Sequence, residues 1–494
     1  MNYSTPESVG ISSENILAFV NALEENHLNT HDVIISKGDT IVFEKYWAPF
    51  HKDYYHRMYS VSKSFVSLAV GFAEQDGLLC LDDPVIKYFP KELDNQPDEN
   101  MRNQTIRHML MMSTAKLCRN WFEARSDDRV AHYFANDRAD SRPSGTIFQY
   151  DSTGSFIMGA LVERLTGKPF MEYLREKMFQ KIGVSEGARC LKCPGGHSWG
   201  DSGVLCTAMD LWKVARFTLN GGRWNGEQLL NENYVKNATS FQIFNNHAGG
   251  TIANRYGYGY QFWMTPNNSY SFCGMGSQYA ICCPNTDIIL IINSDTQGMD
   301  DEAKGVIFRN FFALVEETAQ PVALPENKTA YDKLISKTEN LKLAVALGNY
   351  VSETMKKING VPYAVAPNPM GISRIQIDFS GSKGILKYTN AQGDKELAFG
   401  MGYNEFGPFP EEGYSDEVGS VAAPGNKYHC AASAAWVEKT KLRIQVQIID
   451  KYFGTLNIIL GFRDDLLGIY MEKNAEDFLW TYEGYASGKQ IVKE

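Results

Sequence analysis

The chain has 494 residues, which is long for a single core, and it is 44% hydrophobic, 12% aromatic and 21% charged, the balance of an ordinary globular protein. Lys plus Arg (48) against Asp plus Glu (58) gives a net charge of −10, which excludes a sequence-independent grip on nucleic acid or an anionic membrane and leaves small molecules as the expected partners. The start, Met1-Asn2-Tyr3-Ser4-Thr5-Pro6-Glu7, lacks a basic segment followed by an apolar core, and the most conspicuous apolar run is only Ile288 to Ile292, so a cytoplasmic location is expected.

In chain order, Ile11 to Leu28 has helical apolar spacing behind a Ser12/Ser13 start. Asp32 to Ser36 and Thr40 to Glu44 read as a hairpin around Lys37-Gly38-Asp39. A helix then opens at Tyr59-Ser60-Val61-Ser62-Lys63-Ser64-Phe65, continues through the small apolar stretch Val66 to Ala73, and stops at Asp76-Gly77. Leu81-Asp82-Asp83-Pro84 starts a short helical segment. From there to about Gly200 the pattern is helix and loop, clearest at Thr105 to Met112 and Gly154 to Leu165. Gly203 to Asn220 reads as helix, with Gly221-Gly222 as its stop. Strands follow at Tyr260 to Trp263, Ser269 to Cys273, Gln278 to Cys283 and Ile288 to Asn293, and Glu302 to Glu317 is a closing helix.

Strands at the front and back with helices between them predict an α+β domain over residues 1–320: one antiparallel sheet flanked by helices, with a helical insertion at about 80–200. Gln320-Pro321-Val322-Ala323-Leu324-Pro325 marks a linker, taken as 321–329. Beyond it, Arg374 to Phe379 and Leu442 to Ile448 alternate with period two, so 330–494 is expected to be an all-β meander or small barrel.

Chemistry concentrates at Ser60 and Lys63. Three apart at a helix start, the two lie on one face, a nucleophile beside its proton acceptor, with unpaired helix N–H groups close to where an oxyanion would form. Ser-x-x-Lys recurs at Ser113/Lys116 and Ser380/Lys383. The first of these reads as a helix end and the second as a glycine-flanked turn, so only Ser60 precedes a helix rigid enough to support chemistry. A serine needs its proton returned to the leaving group, and Tyr150, in Phe148-Gln149-Tyr150-Asp151-Ser152-Thr153-Gly154, is the candidate second site. Cys190, Cys193, His197 and Cys206 have spacing that permits a zinc site. In a chain with 9 cysteines a chance gathering is the favoured reading, and no metal or cofactor is expected.

The pieces together resemble the serine β-lactamase-like, penicillin-recognising family, in its class C-type branch of esterases, D-amino-acid peptidases and 6-aminohexanoate-oligomer hydrolases. The resemblance covers about residues 5 to 318. It rests on Tyr59-Ser60-Val61-Ser62-Lys63, Tyr150-Asp151-Ser152 with Gly154, Leu161 to Gly167, Ser202 to Leu211 with Asn220-Gly221-Gly222, Tyr256 to Tyr260, and Gly274-Met275-Gly276-Ser277-Gln278. It implies that Ser60 is acylated, that Lys63 shuttles its proton and depresses the Tyr150 pKa, and that Tyr150 exchanges protons with leaving group and water. It also implies an oxyanion hole from the backbone N–H groups of Ser60 and Met275, and substrate contacts at Ser152, Cys273, Gly274, Gly276 and Gln278.

Two departures bear on substrate. Phe272-Cys273-Gly274 stands where members acting on penicillins carry Lys-Thr-Gly, and Ser152 replaces the usual asparagine. Both resemble the esterase and linear-amide branch, so hydrolysis of a small carboxylic ester or linear amide is expected, ahead of β-lactamase or D-amino-acid peptidase action. The rival of another class is a catalytically silent sensor or binding protein with the same fold. Gly200-Asp201-Ser202-Gly203 could suggest a trypsin-like protease, but helical patterning surrounds it.

Overall fold

The computed structural model describes residues 2–93, 97–118, 129–135, 141–247, 255–419, 421–475 and 482–492. Two compact units are present: residues up to Lys342 together with 417–419, and the remainder from Leu343.

In the first unit, α1 (Ser13–Glu25) is capped by the Ser12 side chain and buries Ile16, Phe19, Val20 and Leu23 at helical spacing. β1 (Asn2–Tyr3) edges the sheet, and β2 (Thr30–Lys37) and β3 (Thr40–Tyr46) form the expected hairpin. β4 (His56–Arg57) leads through a 3-10 turn, Tyr59–Val61, into α2 (Ser62–Gln75). The insertion supplies α3 (Ile106–Leu110), α4 (Arg129–Ala135) and α5 (Ser152–Thr166). β5 (Arg189–Cys190) and β6 (Val204–Cys206) follow, then α6 (Ala208–Leu219). The sheet is completed by β7 (Trp263–Thr265), β8 (Ser269–Gly274), β9 (Gln278–Cys283) and β10 (Ile288–Ser294), and α7 (Asp300–Asn310) closes it.

The sheet order is β1-β3-β2-β10-β9-β8-β7, so front and back of the chain meet at the β2–β10 pairing, as expected for a sheet built from both ends. All of β10 is buried. Its run Ile288-Ile289-Leu290-Ile291-Ile292 alternates between two cores: Ile289 and Ile291 pack on the α2 side, and Ile288, Leu290 and Ile292 on the α1 and α7 side.

Gly203 to Asn220 departs from expectation, since it is not one helix. Val204–Cys206 pairs with both β4 and β5, and the helix starts only after Thr207, whose side chain and that of Asp210 form a capping box. A local cap and strand pairing override the longer helical pattern.

Gln320 and Leu324 donate backbone hydrogen bonds to Gly10 and Glu7, and the helix Lys328–Thr338 packs against α1. Ala330 and Leu334 are buried positions of that helix, one turn apart. The second unit is a ten-stranded antiparallel sheet with a further parallel pairing, Gly400↔Ser433 and Met401↔Ala434, that closes nine of its strands into a barrel. The alternating segments mark two of them, Arg374–Ser380 and Lys441–Ile449. Among the described residues no helix is long and apolar enough to cross a membrane.

Candidate active site

Ser60 lies in the 3-10 turn between β4 and α2, and α2 is buried from Ser62 to Ala73, so the turn stands on a core helix held on all sides. The residue before it, Tyr59, is buried with φ +45°, a left-handed conformation that costs a bulky residue on the order of 1–3 kcal/mol. Neighbours hold that conformation: the Arg57 guanidinium lies 4.6 Å from the Tyr59 ring centroid and 4.6 Å from that of Trp199.

The Lys63 ammonium donates to Ser60 Oγ at 2.8 Å and to the Asp201 backbone oxygen at 2.7 Å. Burial pulls the Lys63 pKa down to about 8, against the opposing pull of Asp201, Asp151 and Cys273. A lysine so placed holds a neutral amine far more readily than a solvated one. The loop carrying Asp201 is fastened to the Ser60 turn: Val204 N–H donates to Ser62 Oγ at 2.9 Å and Met58 N–H to the Val204 oxygen at 2.8 Å.

Tyr150 is brought in by the N-terminal end of α5. Asp151 caps that helix through Thr153 N–H at 2.9 Å and accepts from Thr114 Oγ1 at 2.9 Å, while Gln149 N–H donates to the Met112 oxygen at 2.8 Å. The Tyr150 ring stacks on Trp263 with centroids 5.4 Å apart, and Lys63 Nζ lies 5.1 Å from its centroid. The expected depression of its pKa is not found: burial raises it, outweighing the lowering influence of the nearby Ser60 hydroxyl. Low dielectric penalises the phenolate more than a lysine that is itself losing its charge can repay.

The turn joining β8 to β9 follows a strand end that lies against the Ser60 turn. A Cβ built on Gly274 would be 2.4 Å from the Met58 oxygen and 3.3 Å from Val61 N, so glycine lets β8 touch the Ser60 turn and Met275 follows at its rim, exposed. Two expected substrate contacts are corrected here. Gln278 is fully buried, its side-chain nitrogen donating to the backbone oxygens of Met275, Gly276 and Ser294. Gly276 is buried, with its N–H donating to Asp300 Oδ1 at 2.9 Å. Both are buried and fix the turn, Gln278 through its side-chain nitrogen, while its side-chain oxygen is buried with no hydrogen-bond partner among the described residues. Ser60, Tyr150, Ser152, Trp263 and Cys273 are half-buried.

Several residues of the site carried no signal in sequence. Lys304 of α7 is buried and donates to Cys273 Sγ at 3.3 Å, bringing an ammonium to a strand position that lacks a lysine of its own. Gln261 (φ +66°) ties three helices together: its backbone oxygen accepts from Ser64 Oγ at 2.7 Å, its side-chain oxygen from Ser155 Oγ at 2.6 Å, and its nitrogen donates to the Met109 oxygen at 3.0 Å. Only proximity in three dimensions reveals such residues.

The other candidates go elsewhere. Ser113 is buried and donates to the His108 oxygen at 3.0 Å, and Ser380 and Lys383 face each other across a hairpin. His197 pairs with Glu163 at 2.9 Å, Cys193 accepts from Arg129 at 3.3 Å, and Cys206 lies in β6. Among the described residues no group of three or more His, Cys, Asp or Glu side chains is arranged to hold a metal ion.

The family model described as Beta-lactamase matches residues 18–311. A 6-aminohexanoate-dimer hydrolase from Paenarthrobacter ureafaciens is 26% identical over 281 residues, 53% of this chain and 71% of that one. A solved Bacillus anthracis structure, provisionally named 6-aminohexanoate-dimer hydrolase, superposes with a TM-score of 0.53 at 16% identity, over 66% of this chain and 88% of that one. EstCE1, a hydrolase with promiscuous acyltransferase activity, gives 0.50 at 15% identity, over 60% and 97% of the two chains. These two structural likenesses bear on the fold.

Proposed function

This chain belongs to the Beta-lactamase family, and on that premise we propose that it is a serine hydrolase that cleaves a small carboxylic ester or linear amide through an acyl-enzyme on Ser60. The observation that carries the reading is the 2.8 Å contact from Lys63 Nζ to Ser60 Oγ, at a lysine whose pKa burial has lowered. Neutral Lys63 takes the Ser60 proton as Oγ attacks the carbonyl carbon, and the backbone N–H groups of Ser60 and Met275 receive the oxyanion, each donor worth about 3 kcal/mol of barrier. Tyr150, held protonated by burial, hands a proton to the leaving group and regains one through Lys63. Water then attacks the acyl-enzyme, losing its proton to the same pair as Ser60 is released.

The surroundings favour an apolar, extended substrate. Tyr150 and Trp263 continue into Phe148 and Tyr258, with Phe148 5.9 Å and Tyr258 5.0 Å from the Trp263 ring. Beyond them Ile147, Phe241, Phe244 and Tyr256 are exposed. The Lys304 ammonium beside Cys273 favours a second reading within the same chemistry, a linear amide ending in a carboxylate, the kind of bond named for the Paenarthrobacter relative.

Turnover of p-nitrophenyl esters from acetate to octanoate, of 6-aminohexanoate oligomers and of nitrocefin tests this. Rates are expected to rise with acyl length, by up to about fourfold per CH₂ at about 0.8 kcal/mol each, with nitrocefin at least about 100-fold slower than the best ester or amide. Nitrocefin as the best substrate overturns the ester and linear-amide reading. Labelling by a fluorophosphonate with no steady-state turnover of any substrate favours the silent sensor.

A pH dependence follows from Lys63. The reactive form is the neutral amine, so kcat/KM should climb with pH and level off above the Lys63 pKa of about 8. A profile already flat from about pH 6 upward rules out Lys63 as the base.

A further inference from the structure

Asp201 falls in the Gly200-Asp201-Ser202-Gly203 stretch and is fully buried. Its backbone oxygen accepts from Lys63 Nζ at 2.7 Å. The loop is tight enough to fix that contact: Ser202 N–H and Gly203 N–H donate to the Trp199 oxygen at 3.0 and 2.6 Å, and a Cβ on Gly203 would be 2.7 Å from the Trp199 Cβ.

Its carboxylate is the unusual part. Both oxygens are buried, and among the described residues neither accepts a hydrogen bond from a side chain. A buried carboxylate left like this is costly unless charge compensates it. Burial is the larger influence and raises the Asp201 pKa, while three cations, Lys63, Arg129 and Arg57, pull it back toward the ionised form. Arg57 is itself clamped on the same loop, its Nε donating to the Ser202 oxygen at 3.1 Å and one terminal nitrogen to Ser202 Oγ at 3.2 Å. Arg129 reaches over Trp199, with its guanidinium carbon 5.4 Å from the ring centroid. The neighbouring thiols of Cys190 and Cys193 stay neutral because burial raises both.

We propose that Asp201 is a positioning residue for the hydrolysis: its backbone oxygen aims the Lys63 amine at Ser60, and its buried carboxylate sets the pH below which Ser60 cannot be activated. Without a negative charge at 201, the Lys63 ammonium loses the largest of the electrostatic attractions that hold its proton. The groups facing Lys63 are Ser60 in the same turn, Tyr150 and Asp151 before α5, Cys273 on β8, and Asp201 itself. Only Asp151 and Asp201 among them are carboxylates. Asp151 accepts from Thr114 and Thr153 and also acts on the amine, but Asp201 is the larger influence of the two.

The inference rests on the serine hydrolase reading, and the experiment separates the two. The test is the pH profile of kcat/KM for a p-nitrophenyl ester in Asp201→Asn, Asp201→Glu and wild type, with fluorophosphonate labelling of wild type and Ser60→Ala alongside. Asp201→Asn is expected to move the acid limb down by about one pH unit and to lower the plateau several-fold, and Asp201→Glu to return the limb toward wild type. An Asn variant whose plateau falls while the limb stays in place overturns the proposal, because a merely structural carboxylate would do that. Should the Asn protein not fold, Asp201→Ser is read the same way, and failure of all three variants to fold overturns it too. Labelling that persists in Ser60→Ala overturns the hydrolase reading instead.

Discussion

Ser60→Ala is expected to lower kcat/KM for the best ester by about 10⁴-fold or more and to abolish fluorophosphonate labelling, with the fold and its stability nearly unchanged. The reasoning is geometric. Ser60 Oγ accepts from the Lys63 ammonium and lies near enough to Tyr150 to influence its phenol, so removing it leaves a base with nothing to deprotonate and a donor with no intermediate to protonate. Lys63→Ala and Tyr150→Phe should each cost a comparable factor, and the double variant should be scarcely worse than either single one, because three groups that act together lose their function once. Ser113→Ala and Ser380→Ala should leave rates near wild type, since the first serine is bonded to a helix carbonyl and the second lies in a hairpin of the other unit. Substantial turnover by Ser60→Ala would end the mechanism.

Gly274→Ala is the second large effect expected, and it comes from one methyl group. The new Cβ would lie 2.4 Å from the Met58 oxygen, which is backbone and cannot swing aside, so β8 has to retreat from the nucleophile turn. Met275 retreats with it. A displacement approaching about 1 Å in an oxyanion donor costs on the order of 100-fold in kcat, and the overpacking should lower stability by about 1–3 kcal/mol. A Cβ at Gly305, in α7, would meet no atom within 4 Å, and the backbone there has no positive φ, so Gly305→Ala is the matched control. It should leave kcat unchanged and, as alanine in a helix, be neutral or stabilising by up to about 1 kcal/mol in denaturant unfolding. Equal kcat in the two variants would show that the approach of β8 does not govern the reaction.

The same approach explains why glycine was legible at 274 while its purpose was not. In sequence, Gly274-Met275-Gly276 reads as an oxyanion-hole donor flanked by two substrate contacts. In the folded chain the first glycine makes room for Met58, and the N–H of Gly276 is taken by Asp300, a residue at the start of α7 and far along the chain. Gln278, another expected substrate contact, is buried instead, its side-chain nitrogen donating to the backbone oxygens of Met275, Gly276 and Ser294. Lys304 was silent in sequence because nothing local marks a helical lysine whose ammonium ends beside a cysteine on β8.

What the sequence alone determined is what local chemistry and periodicity encode. The Ser60/Lys63 spacing puts two side chains on one face whatever surrounds them, and alternation and apolar runs identify strands of both units. Tertiary structure alone decided the proton inventory. The direction of the Tyr150 and Lys63 shifts, and the placing of Asp201 behind the lysine, depend on how completely water is excluded by segments far apart along the chain. Desolvation is a property of the packed surroundings, which no spacing along the chain records.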